Sequence, residues 1–221
     1  MTESDSNVQA ITDRFHQVWY DSRVWERITW MGIPIQKNPF DLFQYQEILA
    51  DEKPDTLVEC GAYKGGATLF FAQMFDLIGR GRVVSIDSVP RWDPRVRDHP
   101  RVTTLTGSSV DRKVFSRVLR SVGDGTAMVV LDSDHTQNYV EEELSLYSRL
   151  IKPGGLIVVE DTDVNGHPVY SAHGPGPFEA MTAFLKAHRE FRADEFRANK
   201  LLFTSAPSGW LRRLSSAPGG V

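Results

Sequence analysis

The chain has 221 residues, 41% of them hydrophobic and 24% charged, an ordinary globular composition with length for one α/β domain plus extensions. A formal net charge of −4 gives no global attraction to nucleic acid or to an anionic membrane. The single cysteine, Cys60, excludes an internal disulfide framework and fits a reducing compartment.

No apolar run approaches the roughly 18 residues of a membrane span. The start Met-Thr-Glu-Ser-Asp-Ser lacks the basic and apolar regions of a signal peptide, so a cytoplasmic protein is expected. Residues 8 to 31 carry Val8, Ile11, Phe15, Val18, Trp19, Trp25 and Ile28 at near-helical spacing with a break near Asp21-Ser22, which predicts a helical arm. Its tryptophans, with Trp30, either pack on the core or line a subunit interface or a substrate pocket. Self-association through this arm is expected. Gly32 to Phe40 reads as an extended connector and Asp41 as the cap of a helix to Leu49.

The stretch from Leu57 to Phe71 runs from an apolar strand through a glycine turn into an apolar helix that ends at Gly79. Gly61, Gly65 and Gly66 let a ligand lie against the main chain at the helix N-terminus. Their G-x-x-x-G-G spacing departs from the G-x-G-x-x-G of dinucleotide sites. Glu59, two residues before the turn, repels a pyrophosphate and attracts a cation, which points to a positively charged nucleoside such as S-adenosylmethionine.

Further strands follow at Arg82–Asp87, Val102–Gly107, Ala127–Leu131 and Leu156–Val159, separated by amphipathic helices, one capped by Ser109 or Asp111 and one running from Gln137 to Ile151. That alternation predicts a Rossmann-like, doubly wound, mostly parallel sheet whose ligands bind beyond the strand C-termini. Residues 88 to 100 and 162 to 177 are long loops that can cover a ligand. A helix from Phe178 to His188 precedes two last strands, Phe191–Phe196 and Leu201–Thr204, expected to pair antiparallel. The division is an arm and connector over 1–50, a ligand-binding domain over 51–205 and a flexible tail over 206–221.

Polar residues gather at the predicted strand ends. Asp87 suits a ribose diol, or it serves as a loop acid or helix cap. Asp132, Asp134, Glu160 and Asp161 end adjacent strands that lie about 5 Å apart, and such a group of like charges repels unless a cation joins it. Hard oxygen donors favour Mg²⁺ or a similar ion over zinc; solvated loop acids are the alternative. His135 stands beside them and can accept a proton from a metal-activated hydroxyl, or only orient a carboxylate. His167 and His173 are further candidates for that role, while His16, His99 and His188 read as surface residues.

These residues resemble known motifs. Val58 to Gly65, Gly107 to Asp111 and the acids Asp132, Glu160 and Asp161 look like catechol O-methyltransferase-like enzymes. Trp30 to Pro34, Asp41 to Glu47, Leu131 to Thr136, Val159 to Thr162, Asn165 to Pro168 and Gly174 to Pro177 resemble the cephalosporin hydroxylase and rhamnosyl O-methyltransferase family. The resemblance implies a class I methyltransferase fold and transfer of a methyl group from S-adenosylmethionine, with Mg²⁺, to a hydroxyl of a small secondary metabolite such as an antibiotic or sugar precursor. It places Gly61 and Tyr63 against the methionine part, Asp87 at the ribose and Ser109 at the adenine. Glu59, Gly65 and Asp132 complete the expected cofactor set; Asp132 or Asp134 leads the metal ligands, followed by Glu160 and Asp161. His135 stands where the catechol enzymes carry a lysine base. A non-catalytic subunit that binds the same cofactor and a nicotinamide-dependent oxidoreductase are the alternative functions.

Overall fold

The computed structural model of the chain describes residues 3–215. Helix α1 (Glu3–Asp21) and a 3₁₀ turn over Val24–Arg27 form the arm, with the break where the sequence placed it. The connector is more structured than expected: β1 (Thr29–Trp30) and β2 (Ile33–Pro34) pair antiparallel. Met31 and Gly32 between them both take positive φ, the conformation that two-residue hairpins favour. Helix α2 (Pro39–Glu52) starts before Asp41, because Asn38 accepts from the Phe40 N–H and Pro39 needs no donor partner. Asp41 is buried instead, accepting from the Ser205 N–H at 2.9 Å.

The central sheet is built from β3 (Thr56–Cys60), β4 (Arg82–Asp87), β5 (Val102–Thr106), β6 (Ala127–Leu131), β7 (Leu156–Val159), β8 (Phe191–Ala193) and β9 (Trp210–Arg213). Its order is β5-β4-β3-β6-β7-β9-β8, parallel from β5 through β7, with antiparallel β9 and β8 at the edge. Helices α3 (Gly66–Ile78), α5 (Arg112–Val122), α6 (Gln137–Tyr147) and α7 (Pro177–Ala187) flank it, and a short α4 (Pro94–Arg97) interrupts the loop after β4. Alternate strand residues point to opposite faces. Val58, Val84, Val129 and Ile157 pack with α5, α6 and α7, whereas Leu57, Val83, Met128 and Val158 pack with α2 and α3. Both faces of β6 and β7 are covered, which is why these two strands carry no polar residue, whereas β5 at the sheet edge carries three threonines.

Two expectations at the C-terminal end are corrected. Only the first of the predicted final strands forms: Asp194 caps α8 (Glu195–Asn199), and Leu201–Thr204 is irregular. The partner of β8 is β9, inside the segment expected to be a flexible tail, with Trp210 and Leu211 buried between β7 and β8. Residues 216–221 of that tail lie outside the described residues.

The register positions the chemistry. Cys60 stands level with Ile86 and with Leu131, and Leu131 with Val159. Gly61, Asp87, Asp132 and Glu160 are the next residues of the four strands, so they emerge along one edge of the sheet.

Candidate active site

A cavity of about 750 Å³ opens at that edge. The strand ends form one side, from Gly61 to Tyr63, Asp87, Gly107 to Ser109, Asp132 to His135 and Glu160 to Asp161. Trp19, Tyr20 and Trp25 of the arm, Ile35 to Asn38 of the connector, Arg91, and Asp163, Val164 and His173 of the loop after β7 close it. Two arm tryptophans thus line the pocket; Trp30 packs edge-on against Phe70 and donates to Gln73.

Gly61 is demanded twice over. Its φ is +88°, and a β-carbon there would fall 1.8 Å from the Asp132 carbonyl oxygen. Asp87 holds the turn in place: Oδ2 accepts from the amides of Ala62 (3.1 Å) and Tyr63 (2.7 Å), and Oδ1 from Val89 (2.8 Å). A carboxylate has about four acceptor sites, so one remains beyond these three amides. Ser109 lines the cavity with its Oγ engaged by Tyr139 at 3.1 Å and by buried Glu143. Burial raises the Glu143 pKa to about 7, and Ser133 also donates to it.

Glu59 and Gly65 lie outside the lining, contrary to expectation. The Glu59 side chain turns into the core, where Thr68 and Ser85 donate to it and burial raises its pKa to about 7, so it is not the charge that meets a cationic ligand. Gly65 caps α3 in a left-handed conformation against Val96 and Trp92.

The acids divide. Oxygens of Asp132 and Asp161 and a ring nitrogen of His135 lie within 4.8 Å of one another. His135 bridges the pair through close contacts, Nδ1 3.2 Å from Asp161 Oδ2 and Nε2 3.3 Å from Asp132 Oδ1, and the buried Nε2 has no hydrogen-bond partner. Burial opposes a charge on the imidazole, but Asp161 and Asp132 outweigh it and raise the pKa to about 9. Burial raises Asp161 to about 6 against the pull of His135, and its backbone holds a φ of 53°. Glu160 belongs to a neighbouring group: its Oε1 takes the Tyr45 hydroxyl and the Lys37 ammonium, the latter at 3.1 Å. Asp134 does not join the cluster. Its Oδ1 accepts from the Thr136 amide (2.9 Å) and hydroxyl (2.6 Å), a local turn contact that lowers its pKa.

Several residues were not foreseen. Lys37 is buried, with Nζ 2.5 Å from Asp132 Oδ2. Asn38 lines the cavity beside it, and its buried Nδ2 has no hydrogen-bond partner. His16, expected on the surface, is 4% exposed and contacts Asp163 at 2.7 Å under Phe203. Burial lowers His16 to about 4 and raises Asp163 to about 8, so one proton is shared in an uncharged pair that ties the arm to the loop after β7. His167 sits against Glu179 and Phe178, outside the lining, while His173 is in it. His99 and His188 pair with Asp76 and Glu190. The one signal for Lys37 was that it is the sole charged residue of the connector from Gly32 to Phe40.

The chain is similar to proteins already known. A sequence model described as "Rhamnosyl O-methyltransferase/CmcI" matches residues 22–214. The rhamnosyl O-methyltransferase of Mycobacterium tuberculosis (strain ATCC 25618 / H37Rv) is 36% identical over 209 residues, 92% of this chain and 85% of the relative. That of Mycobacterium leprae (strain TN) is 35% identical, covering 92% and 91%. A structure of CmcI with Mg and SAM superposes with a TM-score of 0.67 at 22% identity, over 86% of this chain and 78% of that one. The MycE methyltransferase of the mycinamycin biosynthetic pathway, in complex with Mg and SAH, gives 0.55 at 18%, over 80% and 50%. Sheet order and superpositions together identify the Rossmann-like fold of class I methyltransferases.

Proposed function

This chain belongs to the rhamnosyl O-methyltransferase/CmcI family, and from that premise we propose that it moves a methyl group from S-adenosylmethionine to a hydroxyl of a sugar or other small secondary metabolite, with a divalent cation such as Mg²⁺. The observation that carries the reading is continuity: Gly61, Tyr63, Asp87 and Ser109 line the same cavity as Asp132, His135, Glu160 and Asp161. A nucleoside donor and an acceptor hydroxyl therefore fit side by side.

The donor set fits a hard cation. Asp132 and Asp161 offer carboxylate oxygens to one point, Glu160 stands next to them, and the raised pKa values of Glu160 and Asp161 reflect burial and mutual repulsion that a cation relieves. When bound, such an ion supplies positive charge that orients the acceptor oxygen and lowers its pKa. With Asp132 and Asp161 neutralised, the attraction that holds the imidazole protonated would fall, and His135 would be able to take the hydroxyl proton. The oxygen lone pair then attacks the methyl carbon as the carbon–sulfur bond breaks toward sulfur, yielding a methyl ether and S-adenosylhomocysteine. Trp19, Tyr20 and Trp25 cover the acceptor with flat apolar faces suited to a sugar ring and exclude water.

The same reading places the protein in the cytoplasm, on its one buried free cysteine, with pairing of chains through α1, whose Val8, Ile11, Phe15 and Val18 are exposed. No helix among the described residues is long and apolar enough to cross a membrane. The decisive experiment offers S-adenosylmethionine and a panel of glycosylated metabolites and catechols, with Mg²⁺ or with chelator. A methylated product that disappears with chelator and returns with metal is expected; full turnover in chelator would remove the cation from the mechanism.

A further inference from the structure

We propose that Lys37 is the built-in counter-ion of the acid cluster, fixing Asp132 and Glu160 side by side and setting the cluster's charge so that one divalent cation balances it. This rests on the metal-dependent reading above.

A lysine side chain 4% exposed is rare unless its ammonium is paired. The Lys37 ammonium lies 2.5 Å from Asp132 Oδ2 and 3.1 Å from Glu160 Oε1, joining carboxylates that end adjacent strands. Its backbone is pinned on both sides: Gln36 holds a φ of 51°, and Asn38 caps α2. Tyr45 donates to the same oxygen of Glu160, so that acid is anchored from two elements. Lys37 takes Oδ2 of Asp132 and leaves Oδ1, the oxygen that faces His135 beside Asp161.

Charge follows from this geometry. Ionised Asp132, Glu160 and Asp161 carry three negative charges, of which Lys37 cancels one. A divalent cation balances the remaining two. Without the ammonium the same carboxylates attract a cation more strongly and favour a trivalent one.

The test is binding of Mn²⁺, followed by the electron paramagnetic resonance of the free ion, to the wild type and to Lys37→Met, Lys37→Arg, Glu160→Gln and the double variant Lys37→Met/Glu160→Gln. Circular dichroism checks each fold. Lys37→Met is expected to bind Mn²⁺ roughly tenfold more tightly and to gain more for Tb³⁺ than for Mn²⁺, while Lys37→Arg stays near wild type. The double variant removes the Lys37–Glu160 pair as a whole and is expected to bind Mn²⁺ more tightly than Glu160→Gln alone. Unchanged or weaker Mn²⁺ binding on loss of Lys37, in whichever background is folded, overturns the counter-ion role. Absence of Mn²⁺ binding by the wild type would instead overturn the metal reading itself.

Discussion

Replacing Gly61 by alanine isolates the contact that joins the donor turn to the acid cluster. The new β-carbon would stand 1.8 Å from the Asp132 carbonyl oxygen, 2.4 Å from its carbon and 2.7 Å from Ser133 Cα, all backbone that no rotamer can move aside. Holding alanine at a φ of +88° costs about 1–2 kcal/mol. Forcing β3 and β6 apart at their ends adds about 1–3 kcal/mol, as overpacking does in cores. The total of about 2–5 kcal/mol is a large share of the roughly 5–15 kcal/mol that holds a domain together. Gly79→Ala is the matched control: φ is +82°, but nothing lies within 4 Å of its β-carbon, so only the backbone cost applies. Urea unfolding followed by circular dichroism measures both, and calorimetry with S-adenosylhomocysteine reports the donor site. Gly61→Ala is expected to lose clearly more stability than Gly79→Ala, together with nucleoside binding. Equal stability loss in the two variants, or wild-type affinity in Gly61→Ala, would refute the close approach as the reason for glycine.

Two further outcomes follow. His135→Gln is expected to lower kcat by about 10²–10⁴-fold with little change in nucleoside affinity, measured by steady-state kinetics and calorimetry, and an unchanged kcat would assign the proton to another group. In chelator, thermal stability is expected to fall between pH 6.5 and 9. Glu59 and Glu143 (each about 7), Asp163 (about 8) and His135 (about 9) all have raised folded pKa values, so the folded state binds more protons there and loses that advantage as pH rises. His16, at about 4 against an ordinary 6.5, opposes this trend only at the lower edge of the window, and Asp55 and Glu179, at about 2, have finished titrating below it. A Tm that rises across it, read by scanning fluorimetry, would contradict the raised pKa values of these groups.

The parallel strands were legible because Ala127–Leu131 and Leu156–Val159 are wholly apolar, as burial on both faces demands, and the neighbouring strands keep a valine, isoleucine or leucine core next to a glycine or an acid. Their C-terminal residues followed, and with them Asp87, Asp132 and Glu160. The edge strands were not. Leu201–Thr204 has the better local strand pattern, yet Trp210–Arg213 forms β9, because Trp210 and Leu211 find buried positions beside β7 that no local window reveals. Asp134 and Glu59 were misread for a related reason: sequence places a carboxylate near the site but does not say which way it turns. Asp134 is captured by Thr136 two residues on, and Glu59 points inward on an alternating strand. Lys37 and His16 meet their carboxylates across 95 and 147 residues, beyond any periodicity.

Nuclear magnetic relaxation of the methyl carbon in S-adenosyl-[methyl-¹³C]methionine, with Mn²⁺ bound to the protein, probes donor and cation in one sample. Strong paramagnetic enhancement that vanishes in Asp132→Asn/Asp161→Asn, with nucleoside affinity retained, is expected if one cavity holds both. Saturating binding of both ligands with no enhancement at the methyl carbon would place the cation elsewhere and contradict the shared site.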